Sequence, residues 1–134
     1  MNWELIVQIV AILAGLFGIA SYIWDKLIIR RNRTIEKVGS LLDEYHEKYA
    51  SLNINEYYKD HVRFLSKIEQ FCIAVDSHVY SKRTIKKFGS KFLTDRYKKY
   101  YGIIKQRRKQ FDKNSYCYFE KLVKYFSLEE IENV

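Results

Sequence analysis

Residues 5–24 carry no charged side chain, and no other feature restricts this chain's fold as strongly. The run is broken only by Gln8, Gly15, Gly18, Ser21, Tyr22 and small alanines. A helix rises about 1.5 Å per residue, so a run of this length extends roughly 30 Å, the thickness of a bilayer's hydrocarbon core. Trp3 stands at one end and Tyr22 with Trp24 at the other, the placement that amphipathic rings favour at the two headgroup layers. All 24 Lys and Arg residues lie at or beyond Lys26, and Lys26, Arg30, Arg31 and Arg33 form a collar free of acids. Basic flanks stay on the cytoplasmic side. The expected topology is therefore a single pass through an inner or plasma membrane, N-terminus outside and residues 30–134 inside. A cleaved leader carries its positive charge ahead of the apolar core, whereas here it follows, so the segment reads as a retained anchor.

Within the anchor, Ala11, Gly15, Gly18 and Tyr22 recur at i, i+4, i+7 and i+11, with Ala14 and Ser21 alongside. Small residues on one helix side let a second helix approach closely, so this face is the candidate for a homodimer or for contact with another membrane protein.

The division expected is an anchor with its collar, residues 1–33, and a cytoplasmic helical domain, residues 34–134. Apolar residues at Ile35, Val38, Leu41, Leu42, Tyr45, Tyr49 and Leu52 recur mostly at three or four, an amphipathic pattern. The chain has no Pro. The anchor can thus continue into this helix, with Gly39 and Ser40 as the weak point. Asn53 or Asn55 is placed to cap a second helix reaching about Tyr80, with Tyr57, Tyr58, His61, Phe64, Leu65, Ile68, Phe71, Cys72, Val75 and Val79 on its broad apolar face. Ser81 can cap a third stretch from Lys82. There the face set by Ile85, Phe88 and Phe92 gives way to one rotated from it, set by Leu93, Tyr97, Tyr100, Ile104 and Phe111. Either the helix bends near residues 89–94 or it is packed on two sides. Asn114 or Ser115 can cap a further helix bearing Tyr116, Phe119, Leu122, Val123 and Phe126, and Ser127 with Glu130 has the spacing of a capping box for a last turn. The fold class is all-α: one transmembrane helix, then a bundle of three to four helices joined by short connections. A domain this small buries a modest core, and packing on a second copy or on the membrane would support it.

The formal net charge is +8, but it is concentrated. Residues 34–81 hold five basic and eight acidic side chains, residues 82–113 hold thirteen and two, and residues 114–134 hold two and four. On a helical wheel Arg83, Lys87, Lys91, Lys98, Lys105, Arg108 and Lys109 gather on one side as a basic ridge. Such a ridge suits an elongated anion, either an anionic leaflet or a nucleic-acid backbone, or a protein partner; it also suits plain solvation or pairing with the acidic residues of 34–81. Tyr97, Tyr100 and Tyr101 interleave with it, a spacing that serves base stacking and helix packing alike. No helix-turn-helix, zinc finger or single-strand platform pattern accompanies it, so nucleic acid rests on charge alone.

No reaction centre emerges. His46, His61 and His78 form no His-Glu-x-x-His pair and match no common metal spacing. Carboxylates stand near two of them, but surface or half-buried histidines are the simpler expectation. Cys72 sits in an apolar run and reads as a small core residue, and Cys117 lies between Tyr116 and Tyr118. Neither has an activating base in sequence, and 44 intervening residues fit neither a disulfide scaffold nor a zinc site. The glycines are isolated, without a phosphate-binding loop, and the adjacent carboxylates Glu129 and Glu130 lack a partner acid. No cofactor or metal is expected.

The run Leu65-Ser66-Lys67-Ile68-Glu69-Gln70-Phe71-Cys72-Ile73-Ala74-Val75, followed by Arg96-Tyr97-Lys98-Lys99-Tyr100, Ile104 and Arg107-Arg108, resembles an uncharacterised bacterial and prophage family, domain of unknown function 4760, over about residues 55–125. That family's middle run ends in a Gly-containing turn, whereas Ser77-His78-Val79-Tyr80 has no Gly; Gly102 stands where the family has Pro, and no Trp follows Trp24. The resemblance implies a membrane-tethered helical domain, sometimes met on mobile elements, with no agreed activity. The expected function is a noncatalytic interaction or scaffold protein whose bundle binds itself or a protein partner. The alternative is a tethered binder of nucleic acid, anionic lipid or a phosphate ligand through the 83–109 ridge, in the setting of phage–host conflict.

Overall fold

The computed structural model describes residues 2–132, with side chains to Ser127. Its first element, α1, runs from Trp3 to Glu44 as one helix of 42 residues, about 63 Å long. Asn2 caps it by accepting from the Glu4 N–H at 3.1 Å. Gly39 and Ser40 do not interrupt it, because the helix is held on the bundle side by buried Thr34, Val38 and Leu41. The helix continues into a π-helical turn, Tyr45–Tyr49, closed by the Ala50 N–H donating to the Tyr45 carbonyl at 2.8 Å. Thr34, Val38, Leu41, Tyr45 and Tyr49 form one buried stripe. The stripe thus begins at a threonine, and the expected Ile35 is 37% exposed.

Helix α2 spans Tyr58–Asp76, shorter at both ends than residues 53–80. Asn53 does act as a cap, but of a preceding turn: its side-chain oxygen accepts from the N–H groups of Asn55 and Glu56 at 2.9 and 3.2 Å. Tyr57 stays largely exposed outside the core. The C-terminus closes with His78 N–H to Val75 O and Val79 N–H to Ala74 O, at 3.0 and 2.9 Å, and His78 at φ 65°. This is the Schellman pattern, whose left-handed position usually takes Gly. His78 takes that position here, and Val79 is turned out of the helix into exposure.

Ser81 caps the short helix α3, Lys82–Phe88, accepting from the Thr84 N–H at 3.2 Å. The basic stretch then breaks at Gly89, and α4 runs Ser90–Gln110. The two rotated apolar faces therefore belong to two helices. Gly89 sits at a close approach: a Cβ there would lie 3.0 Å from the Val38 side chain of α1, which would have to shift to admit it. Helix α5, Cys117–Glu132, passes through Ser127 without a break, so no separate last turn starts there. The side chain of Glu130 lies outside the described residues.

Among the described residues, five α-helices make an all-α architecture of one long helix, apolar in its N-terminal half, and a bundle. α2 packs on α5 and on the π turn, α1 on α3, and α4 on α3 and α5. The core joins Phe64, Leu65 and Ile68 of α2 to Ile85, Leu93, Tyr100, Ile104 and Phe119, all essentially inaccessible. Tyr49 stacks on Phe64 with ring centroids 4.8 Å apart. The most apolar window of α1 lies wholly outside this core.

Candidate interaction surface

Of the two histidines with carboxylates near in sequence, His46 and His61, the second proves to be a core group. His61 is fully buried, not surface or half-buried. Its Nε2–H donates to the Leu52 carbonyl at 3.0 Å, so Nδ1 is the acceptor for the Tyr100 hydroxyl at 2.7 Å. Burial holds the imidazole below its ordinary pKa, with Lys99 adding to the effect against the Leu52 hydrogen bond and Asp60. Burial likewise pushes the Tyr100 hydroxyl well above the usual tyrosine range. Both ring nitrogens are thus engaged in tying α2, α4 and the 50–57 connection together. His46 and His78 are exposed. Among the described residues no three His, Cys, Asp or Glu side chains stand close enough to hold a metal ion. Cys72 is buried, and burial raises its thiol well above the ordinary value; Cys117 is exposed and unbonded to it.

The basic ridge is divided by the break at Gly89. Arg83 and Lys87 lie exposed on α3, and Lys91, Lys98, Lys105 and Lys109 lie exposed on α4. At roughly 100° per residue the four α4 lysines fall within about 40° of one another, a straight row along the helix. Asp95 is the acid beside that row, and Lys105 lies 5.6 Å above the ring of half-exposed Tyr101. Arg108 leaves the ridge. It is turned inward, its Nε donating to the Ser115 carbonyl at 2.8 Å and its Nη2 to Glu120 at 2.7 Å. Two further cations of this stretch face the core: the Arg96 guanidinium sits 3.9 Å over the Tyr45 ring, and Lys99 donates to the Tyr45 hydroxyl at 2.6 Å.

Ala11, Gly15, Gly18 and Tyr22 are all exposed on α1. Apart from the helix's own adjacent turns, nothing lies within 4 Å of where a Cβ would stand at Gly15 or Gly18, so the small-residue side is open. Lys26 folds back over the Tyr22 ring at 4.6 Å.

Where α1 meets the bundle, a polar joint forms around Thr34, a residue that the apolar pattern passes over. Thr34 donates to the Arg30 carbonyl at 2.7 Å and accepts from the Ser81 N–H at 2.8 Å, while Arg30 donates to the Tyr80 carbonyl at 3.2 Å. The collar is thereby fastened to the α2–α3 turn. A threonine in register with an apolar stripe was the available signal. Glu69 was equally hidden: from α2 it accepts from the Tyr118 and Phe119 N–H groups at 2.9 and 3.4 Å, capping α5 from another helix. Burial raises its pKa, opposed by these two hydrogen bonds and by Arg108.

The family model described as Domain of unknown function (DUF4760) matches residues 5–126. The chain belongs to this family. The DUF4760 match takes in the apolar segment of α1 as well as the bundle, so it is wider than the 55–125 resemblance, and the helix and bundle are matched as one unit. No curated protein and no solved structure matches the chain.

Proposed function

We propose that this DUF4760 chain is a single-pass membrane protein, N-terminus outside and bundle in the cytoplasm, acting without catalysis as an interaction module. The observation that carries the reading is the unbroken α1, bare through its apolar half and built into the core from Thr34 onward. A continuous helix transmits orientation, so the bundle is displayed in a defined pose instead of on a loose tether. The α4 row of Lys91, Lys98, Lys105 and Lys109 serves as the face for an acidic protein partner. The Ala11, Gly15, Gly18 and Tyr22 side serves as the self-association face.

Full-length protein crosslinked in intact membranes, then solubilised, tests this. A dimer or a discrete hetero-complex is expected, reduced when the four α4 lysines become Glu or when Gly15 and Gly18 become Leu. Monomer alone in wild type and both variants would reject it, as would cleavage of the bundle by protease added outside intact cells. The exposed Tyr101 within the lysine row favours a second reading, a tethered binder of single-stranded nucleic acid. That reading requires binding that weakens steeply with salt and fails in the four-lysine variant.

A further inference from the structure

Two exposed apolar side chains of the bundle, Val79 at 45% and Phe88 at 53%, stand at the end of the bundle closest to the apolar segment, on different sides of α1. Phe88 shares a groove with Leu27, Arg31, Ser81, Arg83, Thr84 and Lys87. Val79 and His78 share another, enclosing about 550 Å³, with Ile23, Lys26, Leu27, Ile29, Arg30 and Arg33. The level of these grooves follows from helix geometry. With Trp24 at the edge of the hydrocarbon, Leu27 lies about 4.5 Å beyond it and Arg31 about 10 Å, while a headgroup layer is about 5–7 Å deep. The mouths of the two grooves, at Ile23, Lys26 and Leu27, therefore lie at the headgroup layer, while Arg30, Arg31 and Arg33 start beyond it and meet phosphates by reaching back with their long side chains, as Lys26 does over Tyr22. Their charge is of one sign: Lys26, Arg30, Arg31, Arg33, Arg83 and Lys87, with no acid in either lining. Arg30 has a further spare donor, since its Nε is buried without a hydrogen-bond partner.

We propose that the α2–α3 turn and α3 form a shelf on the inner leaflet, with Val79 and Phe88 inserted among the headgroups and Arg31, Arg83 and Lys87 on one side, Arg30 and Arg33 on the other, holding the phosphates of anionic phospholipids. The inference rests on α1 crossing the bilayer as proposed above. Apolar side chains flanked by Lys and Arg at this depth are the chemistry of an interfacial helix: the apolar group gains acyl contact and each cation gains a phosphate. Continuity with the anchor selects the occupant. A lipid beside α1 meets both grooves without leaving the membrane, and the acyl-chain side of each groove is lined by Ile23 or Leu27 of α1 itself. The shelf adds a second point of contact to the single helix, which sets the angle at which the bundle stands on the membrane.

The test uses the full chain in vesicles of phosphatidylcholine, alone or mixed with phosphatidylglycerol, containing lipid nitroxide quencher. Phe88→Cys carries an environment-sensitive fluorophore, Cys117 being changed to Ser and buried Cys72 left in place. Ser51→Cys, exposed in the connection just past the π turn, is the reference site. The only tryptophans, Trp3 and Trp24, report insertion of α1. Expected is quenching at position 88 but not at 51, stronger with phosphatidylglycerol, and a contact equilibrium weakened about fivefold for each of Arg83→Gln and Lys87→Gln, since a cation near an anionic surface contributes roughly one power of that size. Quenched tryptophans with position 88 no more quenched than 51 overturn the shelf and leave the anchor standing. Quenching at 88 indifferent to lipid charge and to both substitutions overturns the phosphate contacts. Unquenched tryptophans overturn the anchor, and the shelf with it.

Discussion

Tyr100→Phe isolates the buried hydrogen bond that links α4 to α2. The ring stays and continues to fill the core, but His61 Nδ1 loses its donor at a site that water does not reach. An unsatisfied buried acceptor costs about 1–3 kcal/mol. With a urea dependence of about 2 kcal/mol per molar for a domain of this size, the unfolding midpoint should fall by roughly 1 M. The measurement is urea unfolding of the full chain in mild detergent, followed by near-ultraviolet circular dichroism of the packed tyrosines. His61→Leu removes the acceptor and leaves the Tyr100 hydroxyl stranded. The double variant strands neither of the two, so its loss should undershoot the sum of the singles by about 1 kcal/mol or more. A pH dependence follows with a definite sign. His61 has its pKa lowered by burial below the ordinary 6.5, so below pH 6.5 the unfolded chain takes up a proton that the folded chain refuses. Wild-type stability should decline as pH falls from 6.5 to the folded pKa, by up to about 1.4 kcal/mol per pH unit, then level off. His61→Leu should lack that slope. An unchanged midpoint for Tyr100→Phe, strictly additive losses, or the same acid slope in His61→Leu would refute the assigned network.

Other expectations are simpler. Thr34→Val keeps the shape but leaves the Ser81 N–H without its acceptor, so about 1–3 kcal/mol should be lost and amide exchange at Ser81 should quicken. His78→Gly relieves a left-handed backbone at an exposed turn and should raise stability by about 0.5–1 kcal/mol; a loss would contradict the Schellman closure of α2. Gly89→Leu should destabilise by about 1–3 kcal/mol, and more than Gly89→Ala, because a Cβ would already come within 3.0 Å of the Val38 side chain and the rest of a leucine has to be fitted beside it. Maleimide should modify Cys117 in the folded protein and Cys72 only after denaturation, which mass spectrometry would resolve.

Features that depend on periodicity and composition were legible in the chain. The apolar run became the bare half of α1, the 3.6-residue spacing of Phe64, Leu65, Ile68, Phe71, Cys72 and Val75 became the core face of α2, and Ser81 proved to cap α3. These are local properties, decided by neighbours within a few residues. The candidate surface was legible in part: helical periodicity puts the cations on one ridge, but its division at Gly89, packed on Val38 of α1, and the withdrawal of Arg108 to Glu120 of α5 depend on contacts between helices.

What tertiary structure alone decided concerns polar groups. Whether His61 is wet or buried, whether Glu69 is a surface acid or the cap of α5, and whether Thr34 belongs to the core depend on what lies opposite, at separations of 39, 49 and 47 residues. An apolar side chain declares its preference for burial whatever surrounds it, because losing water is favourable against almost any neighbour. A polar group is tolerated inside only when a partner meets it with the right geometry, and that partner is supplied by the packing of the helices.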